Sequence, residues 1–513
     1  MGHLFVAHGS LTRLACDALV IPCDEELNVS EWWRPVLPDD TPPGSIPGWL
    51  RVEGIPNSHG VIDLPSAGDR PVFAFVSPLS GYLEPNEPVD ILWEAVDDIV
   101  GRLYPDRRRE MALIGIPLVG TGEGGLAHRR GEVIAELLDR HRSEPLSVDL
   151  ALMLLDRRDF AAVQNLRLDE IDWPELTLAL RYTADELGHL AAKKELSLFL
   201  GAGVSQPAGL PAWPQLLELL AAEAGMPLPS FEDGFEKAAS QIKADLGDDY
   251  YRVMVRHLDA DNHAVGHALL AGLRVNQMVT TNFDPCMELA LESIESGRFR
   301  VLVRELAEGG KPWLLKLHGD IRLPETIILD CEDVERHKVE GMALRGVVQS
   351  LLLTSHLLFV GFSFKDQDFL DLAEAVSVIR AAAKSGSVKP VGTAIALTQS
   401  DADSVGYRDL ETVVMRSVGP DEGARMLEIF LDRLAWTAIK NHSLSAEYLL
   451  DERYESGLSD NDQRLRDLLE RLEDDADSDA RRSSGWSRVA ACLRDLGRDP
   501  IQDGEGRDPL RWG

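Results

Sequence analysis

Short apolar runs alternate along this chain with longer stretches of helical periodicity. In the first part the runs are Asp17–Pro22, Val72–Val76, Leu113–Pro117 and Val148–Leu155. In the second they are Leu196–Leu200, Met278–Thr281, Trp313–Leu317, His356–Val360 and Gly392–Leu397. Runs that are apolar throughout, instead of at every other position, predict strands covered on both faces, and strands separated by helices predict α/β architecture with parallel sheets. The proline-rich stretch "RPVLPDDTPPGSIPGW" between the first two runs predicts loop. After Ser443 the chain is rich in Asp, Glu and Arg, and Leu465, Leu468, Leu469 and Leu472 recur at helical spacing, which predicts an amphipathic helical appendage. At 513 residues the chain exceeds a single core. The expected organisation is two α/β domains, at 1–168 and 176–440, followed by a short, acidic, α-helical C-terminal tail at 441–513.

Charge narrows the function classes. A formal net charge of -34 opposes a nucleic-acid backbone or an anionic membrane as the main partner. The longest apolar stretch, Val347–Phe364, is interrupted by Gln349, Ser350, Ser355 and His356, and Met1–Ser10 has no basic segment followed by an apolar block. A cytoplasmic protein is expected. Cysteines stand singly at 16, 23, 286, 331 and 492 with no C-x-x-C pair, so neither a structural zinc module nor a disulfide framework is expected, and no metal.

Chemistry concentrates where strands end. "GAGVS" follows Leu200, "TTNFD" begins at Thr280, "HGD" follows Leu317 and "GFSFKDQDF" follows Val360. In a parallel sheet, ligands bind beyond the carboxyl ends of the strands, so four such endings in one segment converge on one site. The Gly-rich turn suits a phosphate, since no Cβ obstructs the backbone and a helix start favours negative charge. It is not the dehydrogenase fingerprint, which needs a third Gly where Gln206 stands. Each ending also has a plainer reading. Gly201 and Gly203 serve a tight corner, Asp284 caps the helix begun by "PCMELALESI", His318 sits on a surface loop, and Ser363, Asp366 or Asp368 caps "FLDLAEAV".

"GAGVSQPAGLPAW", "TTNFD", "KLHGD" and "LLFVGFSF", in that order across about 179–434, resemble the motifs of the sirtuin-like superfamily, in its bacterial branch associated with anti-phage defence. The resemblance implies a Rossmann-like parallel sheet and hydrolysis of NAD to nicotinamide and ADP-ribose. It implies that Gly201, Ala202, Gly203, Val204 and Ser205 contact the diphosphate and nicotinamide side. Thr281, Gly361, Phe362, Ser363 and Asp368 complete the cofactor site, the glycine loop at Gly361–Ser363 holding the adenosine side. The resemblance also implies that Asn282 and Asp284 line the nicotinamide-ribose pocket and form the catalytic set with His318 as general base. Protein-deacylating sirtuins carry a four-cysteine zinc module and a Pro-Asp-Phe-Arg after the first loop. Here the cysteines are missing and "PAW" stands in that place, which favours NAD hydrolysis over deacylation. Protein deacylation, ADP-ribosyl transfer and a non-catalytic nucleotide-binding scaffold are the competing expectations.

In the first segment, "DALVIPCD", "MALIGIPLVGTGEGG" and "SVDLALMLLDRRDF" are similar in order to macro domains. The resemblance implies that Gly120, Thr121, Gly122, Gly124 and Gly125 wrap the diphosphate of an ADP-ribose-derived signal, whereas the bland reading of the same loop is an ordinary strand-to-helix turn. The early Asn-rich and Gly-triplet loop of that family is replaced by "EELNVSEWWRPVLPDD". A homo-oligomer and a partner defence protein such as an ATPase complete the expectation for a gated effector that depletes NAD.

Overall fold

The computed structural model describes residues 1–23, 29–37, 59–62, 72–76, 82–103, 109–122, 125–232, 234–382, 390–407, 409–416 and 419–498. These fall into two compact units. The first comprises the described residues within Met1–Arg107, Met111–Pro174 and Ile439–Gly513, and the second those within Arg108–Glu110 and Glu175–Ala438.

The first unit is built on six strands: β1 Leu4–His8, β2 Ala18–Pro22, β3 His59–Ile62, β4 Val72–Val76, β5 Leu113–Ile116 and β6 Asp149–Leu154, in the sheet order β1-β6-β5-β2-β4-β3. All neighbours are parallel except β3, which runs antiparallel to β4. Every residue of β1, β5 and β6 is buried, as expected of strands with helices on both faces. The helix Asn86–Val100 supplies Val89, Leu92, Trp93, Val96 and Ile99 to the core, and Arg130–Ser143 supplies Val133, Ile134, Leu137 and Leu138. Ile439, Tyr448 and Tyr454 join the same core, so described residues after 438 contribute to it.

The second unit carries seven strands: β7 Leu196–Leu200, β8 Gln277–Thr280, β9 Arg300–Leu302, β10 Trp313–Lys316, β11 His356–Val360, β12 Gly392–Ala396 and β13 Leu410–Val414. All are parallel, in the order β13-β12-β11-β7-β8-β10-β9. The chain fills one side of β7 with β8 and β10, then crosses to the other side with β11, β12 and β13. The strand order therefore reverses between β7 and β11, which is where a doubly wound sheet opens a crevice. A helical layer from Trp213 to Leu258 has its own core around Leu217, Leu220, Ile242, Tyr250 and Met254, and Phe283, Ile321 and Leu329 from the loops after β8 and β10 pack into it.

Every strand expected from the sequence is present, within a residue or two at its ends. Four more are found: β1, β3, β9 and β13. β9 and β13 are edge strands, three residues long in one case and largely exposed or half-exposed in the other, so neither carries the continuous apolar signal of a central strand.

Candidate active site

The four motif-bearing strands β11, β7, β8 and β10 are consecutive neighbours in the sheet. Being parallel, they deliver all four chemical endings to one edge. The first two meet at the switch point. Gly203 N donates to Gly361 O at 3.0 Å and Gly201 N to Val360 O at 3.0 Å. A Cβ on Gly361, which has φ of +66°, would stand 2.4 Å from Val204 N, and one on Gly201 2.5 Å from Gly361 O. Backbone lies directly on backbone here, so the glycines are required by the contact between the two loops. Ala202–Val204 forms a 3-10 turn, and Val204 and Ser205 are buried.

The ending of β8 locks onto that turn. Thr281 N donates to Leu200 O at 3.1 Å. The Asn282 amide donates from Nδ2 to Gly201 O and to Ser205 Oγ, each at 3.1 Å, while Asn282 Oδ1 is buried and has no hydrogen-bond partner. Gly201 O can only accept, which fixes the orientation of the amide. A buried, unpartnered acceptor costs about 1–3 kcal/mol, and a ligand hydroxyl or an ordered water is what satisfies it. Ser205 Oγ also faces His267 Nε2 at 3.4 Å. His267, on the helix Val265–Gly272, is fully buried, and desolvation lowers its pKa to about 4 against an opposing pull from Asp284, so the ring is neutral at pH 7. Asp284 Oδ1 accepts from Cys286 N at 3.0 Å, so the capping reading holds for that oxygen.

The ending of β10 brings in the histidine. His318 Nε2 lies 3.2 Å from Asp366 Oδ2, in the loop after β11. The contact sets the carboxylate beside the imidazole without hydrogen-bond alignment, so it leaves open which ring nitrogen carries the proton. Asp366 Oδ1 meanwhile accepts from Phe369 N at 3.3 Å, so one carboxylate both starts a helix and orients the imidazole. The loop that carries Asp366 is held by an aromatic cluster: Phe362 lies 4.9 Å from Phe199 and 5.0 Å from Phe364, ring centre to ring centre. Phe364 has φ of 55°, a left-handed conformation uncommon for a bulky residue and typical of strained functional loops. Ser363 is exposed, and the side chain of Asp368 lies outside the described ones.

Beneath this layer is a buried charge cluster that no motif reading singled out. The Lys316 ammonium, fully buried, donates to Phe283 O at 2.8 Å, Asp284 O at 2.7 Å and Glu288 Oε1 at 2.9 Å. Arg304 pairs with Glu288 at 3.0 Å and with Asp320. Two cations thus balance two carboxylates, and the lysine of "KLHGD" pins the backbone of "TTNFD". Its signal in the sequence is a lysine ending an otherwise apolar strand, a position that demands a buried partner.

Residues 276–406 match the SIR2-like domain family. That span contains Asn282, Asp284, His318 and Gly361–Ser363. Over 182 residues the chain is 28% identical to a protein named NAD(+) hydrolase ThsA from Acinetobacter baumannii, covering 34% of this chain and 37% of that one. It is 29% identical over 182 residues to the protein of the same name from Bacillus cereus, with 34% and 38% covered, and 28% identical over 185 residues to that of Enterococcus faecium, with 34% and 38% covered. The chain thus matches a little over a third of the length of these curated relatives.

In the first unit, Gly120 and Gly125 have φ of +82° and +99°, and a Cβ on Gly125 would stand 2.9 Å from Tyr82 O. The buried Thr121 donates to Leu118 O at 3.0 Å, Gly122 borders open space, and Gly124 lies outside the described residues. Nearby, the buried Asp159 accepts from the Tyr454 hydroxyl at 2.7 Å and lies 3.3 Å from Arg130 Nε. Desolvation raises the pKa of Asp159 to about 6 despite that guanidinium. Among the described residues no helix is long and apolar enough to cross a membrane.

Proposed function

We propose that the second unit hydrolyses NAD at the bond between nicotinamide and ribose, releasing nicotinamide and ADP-ribose. The observation that carries this reading is Asn282, buried and fixed by two donated hydrogen bonds, with an unpartnered Oδ1 at the sheet edge that also holds the His318–Asp366 pair. The name of the relatives, NAD(+) hydrolase, supports it.

The cationic nicotinamide ring leaves as a neutral molecule, so little acid assistance is needed. What the site must supply is position and a base. Asn282 Oδ1 accepts from a ribose hydroxyl or from the attacking water. His318 takes the proton of that water as it adds to the ribosyl carbon, and Asp366 stabilises the resulting imidazolium. Asp284 holds the turn that presents Asn282. Gly201–Ser205 contact the diphosphate and nicotinamide side, Gly361–Ser363 hold the adenosine side, and Thr281 and Asp368 complete the cofactor site. The wider proposal is a cytoplasmic, homo-oligomeric effector of anti-phage defence that depletes NAD. Its gate would be the macro-like segment 1–168, binding an ADP-ribose-derived signal at Gly120–Gly125, or a partner such as an ATPase.

The test is chromatography of NAD incubated with the purified chain, alone and with extract of infected cells. His318→Ala lowers nicotinamide release about 10²–10⁴-fold, the range of a lost acid–base group, and Asn282→Ala about 10²–10³-fold, the range of a lost preorganised hydrogen-bonding group. Nicotinamide accompanied by ADP-ribose on protein, or by a deacylated peptide, replaces hydrolysis with transfer or deacylation. Absence of nicotinamide under every condition rejects the reading in favour of a binding scaffold.

A further inference from the structure

Next to the Asn282–Ser205 pair, three side chains converge. One donor atom each from His267, Asp284 and Cys286 lies within 4.8 Å of the other two, and all three residues are buried. They come from separate elements: the helix Val265–Gly272, the loop after β8, and the first position of the helix Cys286–Ile294. His267 is 1% exposed, its Nε2 makes only the long contact to Ser205, and its Nδ1 is buried with no hydrogen-bond partner. The Cys286 thiol donates to Asn262 O at 3.5 Å, an ordinary length for sulfur, and lies beside the Asp284 carboxylate. His267 Nδ1 is thus left without a hydrogen-bond partner, whereas the Lys316 ammonium has three.

We infer that His267, Asp284 and Cys286 form a site for a single zinc-class divalent ion that clamps the loop carrying Asn282 to the helix Val265–Gly272. Three lines support that class. A nitrogen, a thiolate and a carboxylate make a mixed set that suits borderline-soft Zn²⁺ and not the all-oxygen preference of Mg²⁺ or Ca²⁺. The charges cancel: one divalent cation, one thiolate, one carboxylate and a neutral imidazole leave a buried centre with no net charge, which neither a monovalent nor a trivalent ion achieves. The spacing is within reach, since bonds of about 2.0–2.3 Å to a tetrahedral ion set ligand atoms about 3.3–3.8 Å apart, so a separation of up to 4.8 Å contracts by about 1.5 Å at most. On binding, the Cys286 S–H bond breaks, its proton goes to solvent and the sulfur lone pair forms the metal bond, with no change in oxidation state.

The experiment uses the full chain, stripped with a chelator and titrated with Co²⁺, then Zn²⁺; it needs no NAD and stands apart from the proposed hydrolysis. One equivalent of Co²⁺ is expected to produce a thiolate-to-cobalt band in the near ultraviolet, displaced by Zn²⁺, with release of about one proton per ion at pH 7. The band is lost in Cys286→Ser and in His267→Gln and survives Cys331→Ser and Cys492→Ser, which remove the exposed thiols. X-ray absorption of the zinc-loaded wild type, which requires no variant to fold, is expected to give one sulfur at about 2.3 Å with nitrogen and oxygen completing the shell. No thiolate band, a band that persists in Cys286→Ser, or a shell with no sulfur or with two overturns the site.

Discussion

The carboxyl edges of the two sheets face the same topological opportunity and use it differently. In the second unit the edge presents a rigid amide whose acceptor finds no protein partner, and an imidazole oriented by Asp366. In the first, the buried acid near the Gly-rich loop is taken up by its own chain: the Tyr454 hydroxyl donates to Asp159, and Arg130 lies beside it. A shared architecture therefore predicts where a site can be, while the fate of each buried polar group differs from edge to edge: Asn282 Oδ1 has no hydrogen-bond partner, Asp159 has one, and the Tyr82 hydroxyl, in the residue packed against Gly120 and Gly125, has none.

The difference is tested most forcefully where the second edge is anchored. Lys316 holds the carbonyls of Phe283 and Asp284 and neutralises Glu288 in a setting without solvent. Lys316→Met keeps the volume and removes the charge, leaving Glu288 and Asp320 with Arg304 alone. Breaking a buried pair from one side costs about 3–5 kcal/mol. Denaturant unfolding followed by hydrogen exchange is expected to show that loss in β8 and β10 amides, with β1 and β6 unchanged. Equal loss in both units would mean that the cluster is not local to this edge.

The edge of the first unit is probed by pH. Asp159 has a folded pKa of about 6 against an ordinary value of 3.8, so the fold favours its protonated form. The stability this contributes is complete below about pH 4 and disappears as pH rises through about 6, and a shift of this size corresponds to about 3 kcal/mol. Asp159→Asn keeps an acceptor for Tyr454 and cannot ionise. Wild type is therefore expected to lose stability relative to Asp159→Asn between about pH 4 and 6, read as exchange protection of β6 amides. A difference independent of pH would show that Arg130 neutralises the carboxylate outright and that Asp159 is buried at no electrostatic cost.

How much of this was legible in the sequence follows from the range over which each signal acts. Central strands were legible because burial on both faces writes a continuous apolar run, and their chemical endings because Gly, Asn, His and Asp are conspicuous after such a run. That these endings belong to adjacent strands is a property of strand order, which no local pattern records. Asp366 was hidden by its second role, since a helix-capping aspartate and a histidine-orienting one look alike until β10 and β11 are placed. His267 was hidden differently. It stands inside "VGHALLAG", an apolar helix where a histidine reads as packing, and its relation to Ser205 and Cys286 spans 62 residues in one direction and 19 in the other. The pairing of Lys316 with Glu288, 28 residues apart, is of the same kind.

The smallest expected effect discriminates most finely between the two edges. Ser205 Oγ is the one atom that joins Asn282 to His267, accepting from the first at 3.1 Å and facing the second at 3.4 Å. Ser205→Ala leaves Asn282 its bond to Gly201 O and leaves Oδ1 as it was, so the amide is loosened and not released. A single neutral hydrogen bond is worth about 0.5–1.5 kcal/mol, which as transition-state stabilisation is about a 2- to 10-fold fall in kcat for nicotinamide release. If the serine only steadies the amide, KM changes little and Ser205→Thr, which restores the hydroxyl, recovers part of the rate. A rise in KM with kcat unchanged would instead mean that Ser205 contacts bound NAD directly. The unsatisfied group that marks this edge would then be Ser205 as much as Asn282, and the partnership with His267 would be incidental.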